Sequence, residues 1–395
     1  MNKKLFTILL QPIEAIIASM SPIIDHESLS QKLFFADFVR KLLFVYIEQV
    51  GSLRSLPLAL KTNARCRESG LFYTPFSTLK DGFSRFESKY FKQFFETAMA
   101  SMELKRIKGL DEIGLFRVID GSLFPTLIQM SWSEYRKAKN AFKLHLSFEL
   151  NRMMATEFLI GSGKSSERAF LEKVLEAGVT YIADRGYASF EIIAKVIAAE
   201  ASFVFRVKDN LLPQVRERRE ISGGELPPCF RQVRDELMVF KSDQRQTVVR
   251  VIRFKVAGSY FPIATNRTDL PTLKIIILYA YRWQIELFFK YLKRTLNGLH
   301  LLNHSQNGVE IQFYLLMTLA ILFLKFKQDC QNSAEKKPTA KETSEKNQAS
   351  PSERIRKISE VFYESWKISK NWLLIVKNSI AEVIDKELLT ILNSS

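Results

Sequence analysis

Between residues 116 and 207 the sequence alternates short apolar runs with amphipathic stretches, and that order restricts the fold more than any other feature. Phe116-Arg117-Val118-Ile119 is a strand-like run ended by Asp120-Gly121. Residues 141–148 alternate like a strand with one buried face, and residues 156–160 read as a third strand. A helix is predicted over about 166–177. A short buried strand at 179–183 then ends in Asp184-Arg185-Gly186, and a second helix (190–201) leads to a strand at 202–207. Three strands followed by helix, strand, helix, strand describe an α/β fold, a mixed sheet with helices packed on it.

The flanks differ in character. Residues 1–105 carry helical periodicity, with Leu33, Phe34, Phe38, Leu42 and Val45 marking one apolar face. Residues 106–207 form the first part of the sheet core. Residues 208–270 read as a β-rich insertion, with β-branched runs at 247–256 and 260–264 and turns at Gly223-Gly224 and Pro227-Pro228. Residues 271–330 return to helix: one long helix from Leu273 to about Leu296, then a core helix over 309–327. Residues 331–354 form a flexible linker, since from Ser333 to Arg354 no aromatic or branched aliphatic residue is available to bury. Residues 355–395 are again amphipathic and helical, suited to dimerisation or DNA contact.

The 395 residues include 58 Lys+Arg against 42 Asp+Glu, a net charge of +16, and 47% are hydrophobic. That balance excludes wholesale disorder and suits a folded protein that lies along a polyanion, although a generic basic surface has the same arithmetic. Cys66, Cys229 and Cys330 form no CxxC pair, which fits a reducing cytoplasm, and the four histidines suggest no zinc cluster. The apolar start at 5–10 stops at Gln11-Pro12, and the run at 313–324 is too short to span a bilayer, so a soluble protein is expected. Gly161-Ser162-Gly163-Lys164-Ser165 lacks the first glycine of a P-loop and reads as a turn before a helix.

Chemistry concentrates on three acids. Along the helix from Leu273, the residues Tyr279, Arg282, Glu286 and Lys293 fall within a sector of roughly 60°, with Lys290 beside them. Alone, such a column is equally a solvated face with a stabilising Arg–Glu pair. Asp120 and Asp184 each close a short hydrophobic strand before a glycine turn, where open α/β sheets place their chemistry. Singly, either could cap a turn. Together with Glu286 they make a three-carboxylate set suited to a pair of Mg²⁺ ions, and three converging like charges make sense only with cations bound.

The strings Ile119-Asp120-Gly121-Ser122, Ala183-Asp184-Arg185-Gly186-Tyr187 and Tyr279-x2-Arg282-x3-Glu286-x6-Lys293 together resemble the IS4-type DDE transposases. There the last pattern is the YREK signature and the second the D-x-G-[FY] box. The resemblance covers roughly residues 70–330. It implies an RNase H-like core interrupted by a β-rich insertion before the last catalytic helix, with Asp120, Asp184 and Glu286 as ligands of two Mg²⁺, for which Mn²⁺ can substitute. It also implies DNA contacts by Tyr279, Arg282 and Lys293, to which Lys290, Arg206 and Lys143 are added as candidate phosphate contacts. The partners expected are double-stranded DNA, as terminal inverted repeats bound by residues 1–105 and as target DNA, and a second copy in a homodimer; no nucleotide cofactor and no membrane are expected. Cleavage at the element end would free a 3′-hydroxyl that attacks target DNA. The alternatives are an RNase H-like nuclease without strand transfer and a domesticated, inactive DNA-binding protein. Relatives of this type often stack a flipped base on an aromatic of the insertion, where Phe230, Phe240, Phe254, Tyr260 and Phe261 are available. Trp283 is expected to anchor its helix, and His145 to be structural.

Overall fold

A computed structural model describes residues 3–25, 33–48, 50–64, 66, 69–126, 130, 132, 134–136, 139–208, 213–221, 226, 230–241, 243–256, 258–295 and 301–335. The turns at Gly223-Gly224 and Pro227-Pro228, the linker beyond residue 335 and the segment 355–395 lie outside the described residues. The described residues divide into two compact units, one helical (3–105, 125–132 and 290–335) and one built on a sheet (106–124 and 133–289).

The helical unit begins with α1 (Lys3–Ile24), α2 (Phe35–Ile47), α3 (Leu56–Thr62), α4 (Phe76–Arg85) and α5 (Ser88–Ser101). Helix α1 runs through Gln11-Pro12 instead of stopping there, with Pro12 and Pro22 both inside it. Its face Phe6, Leu9, Leu10, Ile13 and Ile17 is buried. Phenylalanine supplies much of the core. Phe38 on α2 meets Phe83 and Phe86 at ring distances of 5.1 and 5.3 Å, and Phe35 meets Phe91 at 5.2 Å. A Cβ at Gly82 would stand 2.8 Å from the Phe38 ring, so glycine is what lets α4 approach α2. Phe34 departs from the expected apolar face. It precedes α2 in extended conformation and is 48% exposed, while Leu33, Phe38, Leu42 and Val45 are buried.

The sheet unit contains α6 (Lys108–Asp111), β1 (Leu115–Thr126), β2 (Glu134–Arg136), β3 (Lys139–Glu149), β4 (Met154–Ser162), α7 (Glu167–Lys173), β5 (Val179–Ala183), α8 (Phe190–Ala198) and β6 (Ser202–Arg206). Then come β7 (Pro213–Arg218), β8 (Arg231–Phe240), β9 (Val249–Val256), β10 (Ser259–Thr265), α9 (Thr272–Ala280) and α10 (Trp283–Thr295). Among the described residues the strands form one ten-stranded mixed sheet in the order β2-β3-β1-β5-β6-β10-β9-β8-β7, with β4 on β3. The pairs β1–β5 and β5–β6 are parallel and the pairs β3–β4, β6–β10 and β9–β10 antiparallel. The β-rich stretch therefore continues the same sheet through the β6–β10 ladder, where Ile263 pairs with Arg206.

Two strands differ from expectation. Strand β1 does not end at Asp120-Gly121 but runs on to Thr126. Strand β3 is buried on both faces over most of 141–148, because its alternate side chains meet two apolar layers. Strand β5 is buried at every position, and its Tyr181 packs in one cluster with Phe170 and Leu171 of α7, Ile192, Ile193 and Val196 of α8, and Phe203 and Phe205 of β6.

The helical unit closes with α11 (Gln306–Glu335), which packs against α1, α2, α4 and α5. It is longer than the expected core helix and takes in residues 331–335 of the expected linker. By length and composition, Phe6–Ile24 and Gln306–Phe326 would suffice to cross a membrane; most of the second window is buried inside the protein, as in the core helix of a helical bundle.

Candidate active site

The first two acids are brought together by strand register. In the β1–β5 ladder the last paired residues are Val118 and Ile182, so Asp120, within β1, and Asp184, one residue past the end of β5, both stand two positions beyond the last pair. The Asp120 carboxylate accepts the Gly121 N–H at 2.8 Å. The backbone turns at Asp184, whose carbonyl accepts from Tyr187 N at 3.1 Å.

The third acid arrives on a helix that is not continuous. The expected single helix from Leu273 breaks at Tyr281-Arg282 into α9 and α10. Around the break the bonds tighten to a shorter repeat, with Arg282 N to Tyr279 O at 3.0 Å and Gln284 N to Tyr281 O at 2.9 Å. The column inferred for one straight helix is thereby split. Tyr279, at the end of α9, donates its hydroxyl to Asp184 Oδ1 at 3.3 Å. Arg282, in the break, reaches Asp120 Oδ2 at 3.5 Å and Glu286 Oε1 at 2.6 Å. A tyrosine, an arginine and three carboxylates of the motifs thus form one connected cluster.

Electrostatics at this cluster follow from crowding. Burial pushes Asp120 up to about 6; the Gly121 N–H and Arg282 oppose the rise, while Glu286 and Glu167 add to it. Burial, then the charge of Asp184, pushes the Tyr279 hydroxyl to about 12, so it is a proton donor at physiological pH. Among the described residues no three acidic, histidine or cysteine side chains stand close enough to hold an ion as they are. The donor set nonetheless suits a hard divalent cation, being carboxylate oxygen throughout. A guanidinium already stands as the positive charge between Asp120 and Glu286, the place such an ion would neutralise.

The remaining candidates are less free than their sequence positions suggest. Lys143 is paired with Glu167 Oε1 at 2.5 Å and is only 15% exposed. Arg206 lies over the Phe261 ring at 4.6 Å and donates to Tyr260 O at 3.4 Å; its charge is also felt by Tyr279. Lys290 is exposed and Lys293 half-buried, both on the stretch of α10 that belongs to the helical unit, and burial lowers the Lys293 pKa. Of the five aromatics of the β-rich stretch, Phe254 packs against Phe230 and Phe261 and Phe240 against Phe190; Tyr260 is the exposed one. His145 is fully buried, shares a 2.7 Å hydrogen bond with Ser165 Oγ through Nε2 and stacks on Phe170, while its Nδ1 makes no hydrogen bond. Of Gly161–Ser165, the first two residues close β4, paired with Lys143 and Phe142, and only Gly163-Lys164 form the turn toward α7.

Sequence reasoning missed Glu167. It is the first residue of α7, behind the capping Ser166, whose hydroxyl accepts from Ala169 N. It also missed the buried network that seats α9. Arg250 donates to both Asp235 oxygens and to the carbonyls of Arg267 and Leu270, and Thr272 donates to Asp235 at 2.7 Å. Arg250 and Asp235 are each 1% exposed. An Arg and an Asp in neighbouring strands were a visible signal only once the β8–β9 register was known.

Comparison with known proteins bears on the same stretch of chain. The family described as "Transposase DDE domain" matches residues 113–323, from just before β1 into α11. A Sinorhizobium fredii protein designated transposase y4zB is 27% identical over 210 residues, which are 51% of this chain and 58% of that protein. A Geobacillus stearothermophilus protein, "Probable transposase for insertion sequence element IS5377", is 22% identical over 196 residues, 49% of this chain and 52% of the relative. A Synechocystis protein designated a transposase for insertion sequence element IS4SA is 24% identical over 212 residues, 52% of this chain and 58% of the relative. The chain thus spans little more than half the length of these relatives.

Proposed function

The chain belongs to the transposase DDE domain family, and on that premise we propose that it is an insertion-sequence transposase of the IS4 kind, with Asp120, Asp184 and Glu286 as its catalytic acids. It binds the terminal inverted repeats of its element, cleaves the DNA at the element ends and joins the freed 3′-hydroxyl to target DNA, by a cut-and-paste route. The observation that carries this reading is the cluster in which Arg282 bridges Asp120 and Glu286 while Tyr279 holds Asp184. Of the motif residues given a role in chemistry or DNA contact, all but Lys293 take part in these contacts, and Lys293 lies further along α10.

Asp120, Asp184 and Glu286 would hold two Mg²⁺, which supply activation of the attacking oxygen and stabilisation of the leaving one. The protein's own part is orientation. The β1–β5 register sets each aspartate two positions beyond the last pair, and the break between α9 and α10 lets Tyr279 and Arg282 face different acids. With cations on the carboxylates, Arg282 would be free to offer two N–H donors to two oxygens of a backbone phosphate at the cleavage point. Tyr279 stays protonated and donates. Lys290 and Lys293 extend the phosphate track along α10, and Arg206 lies beside Tyr279 on the sheet. Lys143 acts through Glu167 more than on DNA. The likeness to the Synechocystis protein designated a transposase for insertion sequence element IS4SA supports an insertion-sequence transposase.

Residues 1–105 are assigned to the transposon end, residues 106–207 and 271–330 to an RNase H-like core, and 208–270 to its β-rich insertion. A soluble protein acting on the bacterial nucleoid as a homodimer completes the proposal. The test is to incubate the full chain with labelled end DNA, a supercoiled target and Mg²⁺. Joined product supports a transposase; cleavage without joining supports a nuclease; neither, with end binding intact, supports an inactive DNA-binding protein.

A further inference from the structure

Glycine follows Asp120 directly and stands two residues after Asp184; Lys143 and His145 crowd the first, Glu167 crowds the second, and Glu167 also touches the first. A Cβ at Gly121 would lie 2.8 Å from Lys143 Cε and 3.5 Å from Glu167 Oε1. A Cβ at Gly186 would lie 2.5 Å from Glu167 Oε2. Neither glycine is in the left-handed region, so the need is for space and not for backbone freedom. The Glu167 carboxylate thus lies between the two aspartate-bearing segments, one oxygen toward each. Lys143 holds it from β3 at 2.5 Å, and the neighbouring Arg168 donates to Gly186 O at 3.2 Å. The segment Gly161–Ser165, which resembles a nucleotide cradle in sequence only, runs from the end of β4 through a turn toward α7 and Glu167, with Ser165 fastened to His145.

Two more groups mark this as more than a surface ion pair. Tyr187, the aromatic of the second motif, is 1% exposed, its hydroxyl lacks a hydrogen-bond partner, and it lies within electrostatic reach of Asp120 and Glu167. His145 Nδ1, 3.3 Å from the Cβ position of Gly121, is likewise buried without a partner. Both polar atoms lie beside the Glu167 carboxylate, and each calls for a partner at this centre.

We infer that Glu167, clasped by Lys143, is a positioning residue of the catalytic centre that braces the turns carrying Asp120 and Asp184. The inference rests on the proposed catalytic role of those two aspartates. Its physical basis is that the Glu167 carboxylate, held by Lys143, touches both glycine-bearing segments, so moving it would move the turns that carry the two aspartates. An orienting partner of this kind changes metal affinity without touching the metal.

The test uses the full chain and Mn²⁺ alone, with free Mn²⁺ read by electron paramagnetic resonance in the absence of DNA, alongside thermal melting and metal-free binding to end DNA. Glu167→Gln is expected to melt as a folded protein and bind DNA like the parent, but to weaken Mn²⁺ binding by about 10- to 100-fold. Glu167→Asp recovers part of that loss. Gly186→Ala, which leaves the Lys143–Glu167 pair intact but pushes the carboxylate aside, reproduces the loss, and in a Glu167→Ala background it adds nothing further. Should Glu167→Gln fail to fold, Gly186→Ala decides the matter. The inference is overturned if Glu167→Gln or Gly186→Ala binds Mn²⁺ within about twofold of the parent while Asp120→Asn and Asp184→Asn lose it. If those two also bind as the parent does, the catalytic assignment fails and takes the positioning role with it.

Discussion

Replacing Asp120 with asparagine should stabilise the metal-free protein while removing its chemistry. Asp120 is 21% exposed and sits beside Glu286 and Glu167, and its pKa stands at about 6 against an ordinary 3.8. Keeping it ionised in the folded protein at neutral pH therefore costs about 3 kcal/mol, a figure that already includes the attraction of Arg282. Below pH 3.8 the carboxyl is protonated folded and unfolded alike, so Asp and Asn chains differ little from this source. As pH rises from 3.8 to about 6 the unfolded chain ionises first, the parent loses stability relative to the variant, and above about 6 the full difference is present. Asparagine keeps an oxygen for the Gly121 N–H, so the local turn survives. The assay is urea unfolding of both proteins in EDTA from pH 3.5 to 8. A stability gap that grows toward ~3 kcal/mol across that window is expected. A gap that is constant with pH, or one that favours aspartate at pH 8, refutes the reasoning that burial and like charge strain this acid.

Three further outcomes follow from particular contacts. Arg282→Gln leaves Asp120 and Glu286 without their shared cation and should lower end cleavage by ~10²-fold or more in a single-turnover assay with Mg²⁺. Arg250→Met strands Asp235 in the core and should cost ~3–5 kcal/mol by urea unfolding, largely restored when Asp235→Leu is added. Ser166→Ala removes the cap of α7 and should cost ~1 kcal/mol by the same measurement, with weaker Mn²⁺ binding because Glu167 is the first residue of that helix.

The sheet core was legible because its central strands are short, apolar and bounded by helices. Val179–Ala183 reads as a buried strand, and Ser166 and Ser189 cap the starts of the helices before and after it. The overrun of β1 was not legible, since Gly121 and Pro125 read locally as a stop while pairing with β3 carries the strand on. Nor was the β6–β10 ladder, whose partners are far apart in sequence. Motif and position pick out the three acids, and in the fold Asp120 and Glu286 share Arg282 while Asp184 meets Tyr279. The break at Tyr281-Arg282 was not, since no glycine or proline marks it; Tyr279 bonds to Asp184 on one side of it while Arg282 reaches Asp120 on the other. Glu167 stayed hidden because its meaning lies in the two glycines it touches, a relation that exists only after folding.

The most direct test is single-turnover cleavage of labelled element-end DNA by the full chain and by Asp120→Asn, Asp184→Asn and Glu286→Gln, with Mg²⁺ and matched end binding. Loss of cleavage in all three with binding retained is the expected result. Cleavage at the parent rate by any one of them contradicts the assignment of these acids as the catalytic set.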